Sequence, residues 1–92
     1  MDYLAPGKLI VEPDDGSMDQ AFMVSNATRV LGAAAICGGP DGEVTIGDDG
    51  YGTTKCTTEE LEDVAKNSSV TVRVNIDRKT GAADTVEEKY HP

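Results

Sequence analysis

The stretch SMDQAFMVSNATRVLGAAAIC, Ser17 to Cys37, decides how the rest of the chain is read. Ser17 stands three residues ahead of Gln20. That is the capping-box spacing, in which two side chains and two backbone N–H groups at a helix start satisfy each other. The spacing predicts a helix from Ser17 to about Cys37, stopped by Gly38-Gly39-Pro40. Met23, Val24, Ala27, Val30, Leu31, Ala34 and Cys37 recur at helical intervals and form one stripe, while Asp19, Asn26 and Arg29 fall elsewhere. Gly32 to Ala35 are small on every side, which lets another backbone come close. The expectation is a helix pressed onto a sheet, with a homodimer contact through this first helix as the sharper alternative.

Working outward, Lys8 to Glu12 is a short apolar run ended by Pro13 and reads as a strand, followed by a turn at Asp14-Asp15-Gly16. Val44 and Ile46 alternate with polar neighbours, Asp49-Gly50 is a hairpin turn pair, and Tyr51 to Cys56 returns as the partner strand. Thr57 and Glu60 repeat the capping-box spacing. Leu61, Val64 and Ala65 give a second helix its buried face, with Asn67 as the stop. From Val70 to Asp77, Val70, Val72, Val74 and Ile76 point one way and Thr71, Arg73, Asn75 and Asp77 the other, the pattern of a sheet with one wet face. Arg78 to Gly81 is a turn. Ala83 to Tyr90 returns as an edge strand, blunted by Glu87, Glu88 and Lys89. The predicted order is βαββαββ in a single domain over residues 1–92. It corresponds to an α+β two-layer sandwich, an antiparallel sheet with two helices on one face, of the split βαβ or ferredoxin-like kind.

Val72 to Thr85 (VRVNIDRKTGAADT) resembles a strand–turn–strand piece of the N-terminal domain of the NusA transcription-factor family. The resemblance implies a hairpin there, and no function is carried over from it.

Composition sets limits on function. The 92 residues carry 8 Lys plus Arg against 17 Asp plus Glu, a net charge of −9. The sequence pI is about 4.3. Contact with phosphate backbones or anionic membrane surfaces needs Lys and Arg in number, so neither nucleic acid nor membrane is an expected partner. With 1 Phe, 3 Tyr and no Trp, the core must come from Val, Ile, Leu, Met and Ala. A chain this short buries only about 60–65% of its unfolded surface, which leaves room for stabilisation by a partner. The Met1 start is read as that of a complete gene product without a basic, apolar leader. The sequons at Asn26 and Asn67 are then chance, and the expected compartment is the cytosol, a host's cytosol if the gene is viral.

Cys37 and Cys56 lie 19 apart and match no zinc spacing. In the predicted fold they share one end of the molecule, so a disulfide is geometrically possible, but reduced thiols are the default of a cytosol. His91, the single histidine, sits next to the last residue, a poor place for a catalytic base. Asp41, Glu43, Asp48 and Asp49 crowd a Gly-rich stretch but lack EF-hand spacing, and acids at turns are usually solvated turn formers. No cofactor, metal or enzymatic activity is expected from these patterns. The most suggestive feature is acid placement: Asp14 and Asp15 in a turn, and Glu59, Glu60, Glu62 and Asp63 on the second helix. These six are the expected partner-binding residues. The leading expectation is a small non-enzymatic binding module that occupies the basic, nucleic-acid-binding site of a larger protein, in the manner of a phage or mobile-element inhibitor or DNA mimic. The alternatives are an oligomeric structural or virion-associated protein and a small-ligand-binding domain.

Overall fold

In the computed structural model, which describes residues 1–67 and 70–90, Ser17–Cys37 contains no helix. Two strands and a loop take its place. The described residues form seven strands in two sheets and one α-helix. The two-helix ferredoxin-like sandwich is therefore replaced by a mostly-sheet fold. Strands β1 (Asp2–Ala5), β2 (Lys8–Val11) and β3 (Gln20–Met23) make an antiparallel sheet in that order. Strands β4 (Arg29–Gly32), β5 (Thr54–Cys56), β6 (Val72–Ile76) and β7 (Ala83–Glu88) make the second, in the order β5-β4-β7-β6. Among the described strand pairs only β4 and β7 run parallel. Helix α1 (Thr58–Asn67) connects β5 to β6.

The burial pattern explains why strands win. The helical stripe is not the buried set, because Met23, Ala27 and Ala34 are exposed. Phe22 lies off that stripe and is 1% exposed. It faces Leu9, equally buried, directly across β2–β3. Thr28, Val30 and Gly32 are buried at intervals of two, the period of a strand. Ser25 to Thr28 make the turn between the strands: the Thr28 N–H donates to the Ser25 carbonyl at 3.0 Å, and the Ser25 N–H donates to Thr28 Oγ1 at 3.1 Å. The Thr28 hydroxyl then donates to the Ala83 carbonyl at 2.6 Å, which fixes the entry to β4. Ser17 caps nothing. Its N–H and hydroxyl both donate to Asp15 Oδ1, at 2.9 and 2.6 Å.

One apolar cluster joins both sheets to α1 through Leu9, Phe22, Val30, Leu61 and Val86. The second capping box forms as the spacing predicts: the Thr57 N–H donates to Glu60 Oε1 at 2.9 Å and the Glu60 N–H to Thr57 Oγ1 at 3.1 Å. Val72, Val74 and Ile76 turn inward from β6, and Arg73 and Asn75 outward. Strand β7 is central, not an edge, because it lies between β4 and β6, and Glu88 is buried rather than a solvated edge charge. Val44 and Ile46 are each 45% exposed, Ile46 joins only an isolated bridge to Gly52 and Val44 none, so the half-buried strand expected there is absent. Among the described residues no helix is long and apolar enough to cross a membrane. His91, Pro92 and the end of the Asn67 sequon (Ser68, Ser69) lie outside the described residues.

Candidate functional site

A groove of about 600 Å³ opens between the two sheets. Val72, Val74 and Ile76 of β6 line one wall, with Val11, Glu12 and Asp14 on another side. The three β6 side chains are half-buried, so the core is less completely covered here than at Leu9 or Val86. Asp2, Glu12 and Asp14 line the groove as exposed acids. Among the described residues none of them is in an ion pair: the ion pairs there are those of Arg73 with Asp49 (3.1 Å) and Glu87 (3.0 Å), and the Met1 α-ammonium, which also lines the groove, donates to the Val70 carbonyl at 3.3 Å.

The six expected partner-binding residues occupy different settings. Asp14 is on the groove. Asp15 is exposed in the same turn, its carboxyl held below the usual range first by the Ser17 hydroxyl and then by the Ser17 N–H. Glu59 and Asp63 are exposed on α1, and Glu60 is exposed but engaged in the capping box. Glu62 is half-buried and accepts the Gly7 N–H, tying α1 to the β1–β2 turn. Lys66 supports the same docking from 4.6 Å above the Tyr3 ring. Glu62 thus has a structural task that its helical position alone did not reveal. The first helix, through which a homodimer contact was expected, does not exist, so that surface is withdrawn.

Arg73 lies on the outer face of β6. Its guanidinium sits 3.9 Å from the Tyr51 ring centre and bonds to both Glu87 and Asp49. The Glu87 hydrogen bond, then the one to Asp49, raises its pKa further. The Asp49 carboxyl is lowered in turn, first by the Tyr51 N–H and then by Arg73. This cation is internally neutralised, and the groove acids are not.

A second polar arrangement lies at the end of β7. Glu88, 3% exposed, accepts the N–H groups of Ala33, Ala34, Ala35 and Ile36 at 2.9 to 3.3 Å. Burial opposes its ionisation, but these N–H groups outweigh it and hold the carboxyl below its ordinary value. The small residues read as a helix end are in fact a loop wrapped around an anion. The close approach depends on glycine: a Cβ on Gly32 would lie 2.5 Å from Cys56 Sγ, and one on Gly52 would collide with the Gly32 backbone.

Cys37 and Cys56 are joined in a disulfide with Cα atoms 5.9 Å apart. The reduced pair expected for a cytosolic chain is therefore corrected. The bond arises because β5 pairs with β4, placing Cys56 opposite Val30, and the loop after β4 returns Cys37 beside it. Among the described residues, no group of three or more His, Cys, Asp or Glu side chains is placed to hold a metal ion. No known protein family, curated protein or solved structure matches the chain.

Proposed function

We propose that the chain is a small acidic binding module that docks on a larger protein with a basic surface and occupies its nucleic-acid-binding site. The observation that supports this reading is the groove, in which Asp2, Glu12 and Asp14 stand outside any ion pair beside half-buried valines and outnumber the one cation there, the Met1 α-ammonium. Exposed Glu59 and Asp63 add to a field set by a net charge of −9. Such a field attracts basic surfaces and repels phosphate. The module is non-enzymatic in this reading, needs no cofactor, and acts in the cytoplasm as an inhibitor.

Capture of a partner on the immobilised chain, from lysate, tests the proposal. The expected partner is a nucleic-acid-binding protein that added duplex DNA and moderate salt both displace. Capture that ignores DNA overturns the proposal. A second reading, a virion-associated or otherwise extracellular structural protein, is favoured by the Cys37–Cys56 disulfide, since such bonds persist in oxidising surroundings. Repeating the capture with the disulfide reduced separates the two. The cytoplasmic reading requires that the reduced chain stay folded and keep its partner.

A further inference from the structure

We propose that the groove takes an extended, basic segment of the partner as an added strand along the free edge of β6. This rests on the binding-module reading above and names the part of the partner that enters. Among the described residues, strand β6 pairs with β7 on one side only. The Lys89 N–H donates to the Thr71 carbonyl at 2.8 Å, so residues 71 and 89 form a hydrogen-bonded pair. In an antiparallel ladder such pairs alternate. Arg73–Glu87 and Asn75–Thr85 are therefore the next bonded pairs, in the observed register. The N–H and C=O groups of Val72 and Val74 consequently point away from β7, towards the open edge. The same two residues line the groove with their side chains. An incoming strand finds backbone donors and acceptors at the edge and apolar surface beside them, the two components of recognition by strand addition.

Charge selects the occupant. Asp2, Glu12 and Asp14 line the groove with a single cation among its lining residues, the Met1 α-ammonium, which donates to the Val70 carbonyl at 3.3 Å and forms no ion pair with them. The rim therefore keeps an excess of negative charge, and a strand alternating apolar residues with Lys or Arg fits it. A second copy of the chain does not, because it brings a further net charge of −9 to an already acidic rim. Exposed strand edges are also commonly protected by an inward charge or a proline. β6, Val72–Ile76, contains neither on its inner face.

The test is amide hydrogen exchange on the intact, disulfide-bonded chain, with a short capped peptide alternating lysine and valine and a control alternating aspartate and valine. The lysine peptide should slow exchange at Val72 and Val74 by about ten-fold or more, because their N–H groups gain partners. Arg73 and Asn75, already bonded to β7, should change little. The triple variant Asp2→Asn, Glu12→Gln and Asp14→Asn alters exposed side chains only. It should keep the Arg73 and Asn75 protection, which reports folding, and weaken the lysine peptide by about ten-fold at low salt. Equal slowing by both peptides, slowing on concentrating the chain alone, or no slowing at Val72 and Val74 overturns the inference. A DNA-displaceable partner that leaves these two amides exchanging freely overturns the added strand but leaves the broader reading standing. Protection of the two amides by a partner that DNA does not displace supports the added strand and overturns the nucleic-acid-site reading.

Discussion

Glu88 is the residue on which the β4 end of the molecule depends. Four consecutive N–H groups, from Ala33 to Ile36, have the same carboxylate as their acceptor. Glu88→Gln replaces an oxygen by an NH₂ that faces donors, and should destabilise the fold by about 2–3 kcal/mol in urea titration at neutral pH. Its folded pKa lies below the ordinary 4.5, so ionised Glu88 stabilises the native state above that value. The contribution is lost as pH falls through the folded pKa, where the proton must be taken up. The difference between wild type and Glu88→Gln should therefore shrink on acidification below about pH 4.5. An unchanged difference down to the acid limit would remove Glu88 from the account of acid stability. Nothing local in the sequence marks this contact, because its partners lie 52 to 55 residues away.

At the scale of elements, Phe22 separates the observed strands from the helix expected there. As a core residue of β3 facing Leu9, Phe22→Ala should destabilise by about 3–5 kcal/mol, through lost burial and the cavity left behind. A helix with the predicted stripe would tolerate the change, so a loss below about 1 kcal/mol contradicts the β2–β3 pairing. The disulfide closes a 19-residue separation and contributes about 3 kcal/mol, mainly by restricting the unfolded chain. Its reduction should lower Tm by about 10–20 °C in a scanning calorimeter, and an unchanged Tm would contradict a bonded native state. Elements whose signals were local were legible: Thr57 and Glu60 start α1, Leu61 and Ala65 bury its face, and the valine alternation gives β6. The Ser17–Cys37 region was not legible, because its apolar residues fit both periods. The choice between them lies in distant contacts, Phe22 with Leu9 and the Thr28 hydroxyl with the Ala83 carbonyl. At the groove, Asp14 and the inward valines could be read from sequence. The open edge beside them could not, because it follows from the order in which the strands assemble.

For the whole molecule, the distribution of charge matters more than its amount. Arg73 is spent on Asp49 and Glu87 at the outer face, Glu62 on the Gly7 N–H, and Glu88 on a loop. Asp2, Glu12, Asp14, Glu59 and Asp63 remain exposed, and with other surface acids such as Asp19, Asp41, Glu43 and Asp84 they contribute to the field that a partner meets. Neutralising Glu59→Gln with Asp63→Asn, and separately Asp2→Asn with Glu12→Gln and Asp14→Asn, should leave Tm nearly unchanged, since exposed substitutions usually shift stability by no more than about 0.5 kcal/mol each. The decisive measurement is the association rate constant of the intact chain with its captured partner as a function of ionic strength. The rate should fall steeply, by about ten-fold or more between 50 and 300 mM salt, and the groove-rim variant should show a lower rate and a flatter dependence. A rate constant that does not change with salt, and is the same for wild type and the rim variant, would contradict an acidic surface that guides the chain onto a basic site.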